Sequence, residues 1–163
     1  MERKGLIFLA VIVAVVIIVI LGDIWLSNGL AEEEGYFILC RPGSVVNVRN
    51  KPKKTASVTA WVECGQPIKT DGKRKNGYVH VVGLASEEPD GWICEGYIVD
   101  EQPRIETYRA EVYDGNVIAR KWVCGKQLRV LREGQIVTVY AQTHMWAVTS
   151  KGFVMCDWLR EVD

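Results

Sequence analysis

The residues of this sequence with the widest chemical range are five cysteines and two histidines. The cysteines are Cys40, Cys64, Cys94, Cys124 and Cys156. No two of them have the C-x-x-C spacing of a zinc or redox pair, and His80 and His144 are not near equivalents of each other in the repeat described below. A nucleophile at Cys94 or Cys156 would need an adjacent base, which the sequence does not supply. We therefore expect no metal ion, no cofactor and no enzymatic activity.

The pairing of the cysteines is left open by the sequence. In a protein outside the cytoplasm, five cysteines would suggest disulfides, although an odd number leaves at least one of them free in a monomer. Cys40 and Cys64 could meet if their strands pair. Because no cysteine has a counterpart in the repeat, free buried thiols are the simpler expectation.

Aromatic residues are the candidates for ligand binding. In a small β-domain such rings either fill the core or form a shallow groove, where flat surfaces stack on a peptide or glycan. Trp61 shares a strand face with Thr59 and Glu63, so it is expected to point outward, at a ligand or at another domain. The candidate residues are Trp61, Tyr78, Trp92, Tyr97, Trp146, Phe153 and Trp158.

An apolar N-terminal segment would hold these residues at a membrane. Residues 6–21 contain no polar side chain, and a helix over 5–25 would be roughly 31 Å long, which matches a bilayer core. Arg3 and Lys4 precede the segment, whereas acidic residues follow it, so the positive-inside rule places the N-terminus in the cytoplasm. We expect a single-pass anchor over residues 5–26 with the C-terminal part extracytoplasmic. The alternative is secretion after cleavage of a signal peptide.

The rest of the chain carries strand patterns and an internal repeat. Alternating apolar residues predict strands at 46–49, 58–63, 78–82, 92–94, 128–131, 136–140 and 146–148. Two turn dipeptides, Asp71-Gly72 and Asn76-Gly77, predict a hairpin whose tip is 73–75. The repeat pairs Val-Asn-Val-Arg at 46–49 with Val-Ile-Ala-Arg at 117–120, and Gly-Trp-Ile-Cys at 91–94 with Gly-Phe-Val-Met at 152–155.

The side chains of the alternating strands predict two cores. The first would contain Val46, Val48, Val58, Ala60, Val62, Ile68, Val79, Val81 and Ile93. The second would contain Val117, Ala119, Leu128, Val130, Val137, Val139, Ala147 and Val154.

The order of these motifs resembles the bacterial SH3 (SH3b) domain. Val-Asn-Val-Arg, a glycine turn, an aromatic strand, Gly-Trp-Ile and a final Tyr-Ile follow one another in the first copy, and the second copy repeats the order with Phe153 in place of the tryptophan. The resemblance implies an all-β fold of two tandem small SH3-like β-barrels behind one transmembrane helix. The implied divisions are a tip and membrane helix at 1–27, a linker at 28–35, and modules at 36–102 and 103–163.

The function expected from the resemblance is non-catalytic binding of peptidoglycan peptides. The alternative is a structural or signalling ectodomain that recruits a protein partner through Trp61 or Trp122. Nucleic acid is not expected as a partner, because 20 lysines and arginines balance 20 aspartates and glutamates and a polyanion requires basic excess. The oligomeric state is not indicated.

Overall fold

The computed structural model describes residues 35–84 and 90–163. The predicted membrane helix and nearly all of the predicted linker lie outside these ranges. Within them, no helix has the length and hydropathy that a bilayer span requires. Residues 35–163 form one compact unit.

The predicted all-β fold is confirmed, since the unit consists of two seven-stranded sheets. The first sheet contains β1 (Tyr36–Ile38), β2 (Val45–Arg49), β3 (Val58–Glu63), β4 (Pro67–Lys75), β5 (Tyr78–Val82), β6 (Gly91–Cys94) and β7 (Ile98–Val99). The second contains β8 (Tyr108–Val112), β9 (Val117–Arg120), β10 (Gln127–Leu131), β11 (Ile136–Gln142), β12 (Trp146–Thr149), β13 (Gly152–Met155) and β14 (Leu159–Val162). A 3₁₀ turn precedes the last strand of each sheet, at Glu95–Tyr97 and Cys156–Trp158.

The two sheets have the same strand order. The first runs β3-β2-β6-β5-β4-β1-β7 and the second runs β10-β9-β13-β12-β11-β8-β14, so each strand has a counterpart seven places later. Paired residues correspond as well: Arg49 lies opposite Trp92, and Arg120 lies opposite Phe153. The repeated arginines also have the same task, because each donates a hydrogen bond to a carbonyl of the loop that follows it.

Each sheet contains the same glycine–glutamine turn before its fourth strand. Gly65 and Gly134 have φ angles of 80° and 78°, a left-handed conformation that favours glycine. The side-chain oxygens of Gln66 and Gln135 accept hydrogen bonds from the backbone N–H three residues earlier, at 3.0 and 3.3 Å. Both glycine N–H groups donate to the first strand of their sheet, at 2.7 and 2.8 Å. The turn therefore fixes how that strand joins the sheet.

Alternation along the strands places one apolar set inside each sheet, as the sequence predicts for most positions. The first cluster of buried residues is Ile38, Cys40, Val46, Val48, Ala60, Val62, Ile68, Val81 and Ile93. The second is Ala110, Val112, Val117, Ala119, Leu131, Val137, Val139, Ala147 and Val154.

Three of the predicted core residues are exposed. Leu128 and Val130 have 49% and 51% of their surface exposed, because the β9–β10 register shifts between Gln127 and Arg129. Val130 therefore lies opposite Ile118 on the outer face, and Leu131 takes the core position opposite Val117. A shift of one residue exchanges the two faces of a strand.

The third residue is Val58, which is 45% exposed. Val48 pairs with the buried Ala60, but the register then shifts, so that the next residue, Arg49, pairs with Val58. The shift interrupts the inward–outward alternation that would have placed Val58 in the core.

The predicted hairpin tip is also corrected. Strand β4 continues to Lys75, and the turn consists of Asn76 and Gly77 alone. Asp71 and Gly72 lie in an irregularity of β4, where the register against β5 shifts between Thr70 and Arg74. Residues 73–75 therefore belong to the strand, because the first turn dipeptide forms a bulge and does not reverse the chain.

A third buried cluster joins the two sheets. Its partly buried neighbours include Phe37, Cys64 and Tyr97 from the first sheet's part of the chain and Val123 from the second. The shared cluster means that neither sheet buries its apolar surface alone, as expected for units of about 60 residues. The buried members are Leu39, Val99, Ala141, Trp146, Val148 and Phe153.

A close contact at Gly96 completes the join between the sheets. Trp122, in the loop between β9 and β10, packs so closely on Gly96 that a Cβ there would lie 2.2 Å from the indole Cδ1. The neighbouring Val123 donates its backbone N–H to the Gly96 carbonyl at 3.0 Å. A residue with a side chain at position 96 would therefore displace the indole.

We expect Gly96→Ala to lower the free energy of unfolding by about 1–3 kcal/mol, the usual cost of overpacking. Chemical denaturation of the wild type, Gly96→Ala, Trp122→Ala and the double variant measures it. Because the clash is with the indole, most of the Gly96→Ala cost should disappear when Trp122 is already alanine. Additive losses in the double variant would contradict this contact.

Candidate ligand-binding cleft

Four of the predicted aromatic residues lie at equivalent positions on one face of each sheet, but the two faces differ in burial. Tyr78, His80 and Trp92 of the first sheet are partly exposed. Their counterparts in the second sheet are Trp146, Val148 and Phe153, and all three are buried in the cluster that joins the sheets. The two copies thus have similar faces. The face of the second sheet is buried against the first sheet, whereas the face of the first sheet stays accessible.

A cleft of about 490 Å³ opens beside this join, lined by residues of both sheets. Four aromatic rings contribute to its wall: Tyr78, Tyr97, Trp122 and Phe153. Tyr97 meets Phe153 edge to face, with ring centroids 6.1 Å apart. Burial is the main cause that raises the pKa of Tyr97, so its hydroxyl remains protonated at neutral pH and can donate a hydrogen bond.

Every charged side chain that lines the cleft is basic. These side chains are Arg41, Arg49, Lys54 and Lys121. Within the described ranges, none of them forms an ion pair with a carboxylate. The cleft therefore combines apolar ring surface with four basic side chains.

Three of these cations are held by neighbouring groups. The Arg41 guanidinium carbon lies 4.5 Å from the centre of the Tyr140 ring, and its Nη2 donates to the Tyr140 hydroxyl at 3.4 Å. Arg49 Nη1 donates to the Ala56 carbonyl at 2.6 Å. Lys121 Nζ lies 5.4 Å from the Trp122 ring. Because Arg41 lies in the loop between β1 and β2 whereas Tyr140 lies in β11 of the second sheet, the placement of this cation depends on the join.

Two thiols, Cys40 and Cys94, also line the cleft, and all five cysteines are free. Cys64 Sγ lies 2.8 Å from the Cys40 carbonyl oxygen, to which it donates. A hydrogen bond between the two thiols lowers the pKa of Cys64 and raises that of Cys40. Cys156 differs, since burial raises its pKa to about 11. Cys64 is therefore a better nucleophile than Cys156, which is also half-buried.

The structure brings three of the seven predicted site residues together in the cleft: Tyr78, Tyr97 and Phe153. Trp92 lies on the accessible face, where its ring centroid is 4.9 Å from that of His80. The other three predicted residues lie elsewhere.

Trp61 is 62% exposed on the outer face of β2 and β3, as its position in the strand predicts. Trp146 is buried and borders a second depression of about 320 Å³. Trp158 packs against the core of the second sheet. A role for these three residues in one common groove is therefore not supported by their positions.

The four basic residues of the cleft were missed from the sequence, and Trp122 was considered only as a contact for a protein partner. Arg49 had a signal, because it ends the repeated Val-Asn-Val-Arg motif. Arg41, Lys54 and Lys121 lie in loops, and nothing in their local sequence indicates that the packing of the sheets gathers them.

Among the described residues, no histidine and no carboxylate line the cleft. The His80 ring packs on Trp92, and its Nδ1 lies 3.0 Å from Asp71 Oδ2. In the described part of the chain, no group of three or more histidine, cysteine, aspartate or glutamate side chains could hold a metal ion. The chemistry that this arrangement offers is stacking and charge attraction, both of which serve binding.

Solved structures of known proteins resemble this chain only weakly. No family model matches the sequence, and no curated protein matches it. Solved structures that are similar include NlpC1 and NlpC2 from Trichomonas vaginalis, both 18% identical, with TM-scores of 0.30 and 0.29. The similarity covers 77% of this chain but 45% and 47% of theirs, so the chain spans less than half of their length.

In the reduced protein at pH 7.5, we expect iodoacetamide to alkylate Cys64 more than about tenfold faster than Cys156, because the Cys64 thiolate is far more populated. Mass spectrometry of tryptic peptides during labelling measures both rates. Cys40→Ala should slow alkylation of Cys64 by removing its thiol partner, whereas Cys124→Ala should leave the rate unchanged. Equal rates at Cys64 and Cys156 would refute the assignment.

Proposed function

We propose that this protein is a membrane-anchored, non-catalytic receptor that binds cell-wall peptides outside the cell through SH3b-like modules. The single observation that carries the proposal is the partly exposed aromatic face of the first sheet, which continues into the cleft through Tyr78. Pockets for small ligands are typically apolar and aromatic with a few placed polar groups. The cleft has this composition.

The two modules have different tasks in this proposal. The first presents its aromatic face to the ligand. The second buries the equivalent residues, Trp146 and Phe153, each only 6% exposed, and contributes Lys121 and Trp122 to the far wall of the cleft. The second module therefore supports the site and completes it, and does not form an independent site of the same kind.

The anchor is proposed from the sequence of residues 6–21 and its flanking charges. A tether that places the cleft just outside the membrane would keep the protein near the inner surface of the wall. Binding by stacking and charge, without a reaction, fits a protein that holds or senses wall peptides.

Retention of residues 32–163 on purified cell-wall sacculi tests the proposal. We expect the wild type to sediment with sacculi at low salt. Tyr78→Ala should bind about three- to tenfold more weakly, the value of one aromatic contact. Trp61→Ala is the matched control, because it also removes an exposed ring but lies outside the cleft. No retention of the wild type would refute wall binding.

A second function is favoured by the exposure of Trp61. In this alternative, the outer face of β2 and β3 contacts a membrane protein, and the modules set spacing or recruit that partner. It predicts that a photocrosslinker at position 61 captures one membrane protein in cells, with no retention on sacculi. Retention on sacculi that is sensitive to Tyr78 and insensitive to Trp61 would exclude it.

A further inference from the structure

We infer that the cleft between the sheets is a receptor for short peptides that carry two or more carboxylates, and that it discriminates against the same peptides in amidated form. This inference rests on the proposed function and specifies the ligand of the same site. Its basis is the juxtaposition of four cations with four aromatic rings in one cleft.

The first step is the segregation of charge. Acidic and basic residues are equal in number over the whole chain, whereas the four charged side chains that line the cleft are all basic. In the described part of the chain, no carboxylate forms an ion pair with any of the four. A concave site with charge of one sign attracts ligands of the opposite sign.

The second step is preorganisation. The arginine fork matches a carboxylate with two parallel hydrogen bonds. Arg49 and Arg41 each use one guanidinium nitrogen in a hydrogen bond within the protein, to Ala56 and Tyr140 respectively. A guanidinium has five N–H donors, so donors remain on both side chains after these bonds. Each fork is thus held before a ligand arrives, which reduces the entropy lost on binding.

The third step compares Arg49 with the equivalent arginine of the second copy. Arg120 is the counterpart of Arg49 and makes the equivalent bond, to the Gly125 carbonyl at 2.9 Å. Unlike Arg49, it does not line the cleft. The shared bond is therefore structural, and exposure to the cleft is the additional property of the first copy.

The fourth step is the nature and size of the ligand. A volume of about 490 Å³ lies within the range of small-molecule sites. A long polyanion would require an extended basic surface, whereas these cations are confined to one cleft. The rings Tyr78, Tyr97, Trp122 and Phe153 provide apolar contact for aliphatic parts of the ligand. A short peptide supplies both the carboxylates and the aliphatic parts.

The test uses the full chain in detergent and two synthetic peptides, measured by isothermal titration calorimetry. Ala-Glu-Lys-Ala carries two carboxylates, and Ala-Gln-Lys-Ala-amide carries none. We expect the acidic peptide to bind about tenfold or more tightly than the amide, and its affinity to fall as salt rises from 50 to 500 mM.

The matched variants change two charges each. Arg41→Gln with Lys121→Gln should weaken binding of the acidic peptide about tenfold, but should not weaken binding of the amide, which carries two positive charges and no carboxylate. Lys75→Gln with Arg132→Gln removes two exposed cations outside the cleft and should have no effect. Thermal melts of both double variants verify that they are folded.

The outcomes separate this inference from the proposed function. Retention on sacculi with equal binding of acid and amide, or with no binding of either peptide, would overturn the carboxylate preference and leave wall binding intact. Displacement of the acidic peptide by inorganic phosphate at equimolar concentration would overturn it in favour of a phosphate ligand. Loss of retention on sacculi by the wild type, with the acidic peptide still bound, would overturn the proposed function alone.

Discussion

The burial of Trp146, Val148 and Phe153 between the two sheets is the contact on which the rest of the structure depends. Each sheet is too small to bury much apolar surface on its own, and the shared cluster with Leu39 and Val99 extends both cores. The contact also determines the site. It covers the aromatic face of one sheet, leaves the equivalent face of the other accessible, and opens a cleft at its margin.

The two copies share the residues that shape the backbone and differ in the residues that face a neighbour. The devices that shape the backbone are the same in both copies, namely the glycine–glutamine turn and the arginine that closes the following loop. The residues that meet a neighbour differ, since His80 corresponds to Val148 and Trp92 to Phe153. A duplicated module can keep its fold with the shared hydrogen bonds while one surface becomes an interface and the other remains free.

Much of the fold could be predicted from the sequence, because strand alternation and repeated motifs are local signals. The predictions failed where the register shifts. Leu128 and Val130 alternate correctly within β10, but an irregularity after Gln127 turns them outward and gives Leu131 the core position. A bulge is specified by pairing with another strand, which a single segment does not reveal. The Asp71-Gly72 dipeptide failed for the same reason, since only its pairing with β5 distinguishes a bulge from a turn.

The site was less predictable than the fold, because its charge pattern exists only after the sheets have packed. A neutral chain argues against a polyanionic partner, yet neutrality of the whole conceals a local excess of basic side chains in the cleft. Arg41 donates a hydrogen bond to Tyr140 of the second sheet. Lys121 precedes Trp122, whose indole packs against Gly96 in space that a side chain at position 96 would fill. The same contact that stabilises the molecule therefore brings the four basic side chains of the cleft together. A change that loosened the join would disperse the charge as well as expose the apolar cluster, so stability and the proposed ligand recognition depend on one interface.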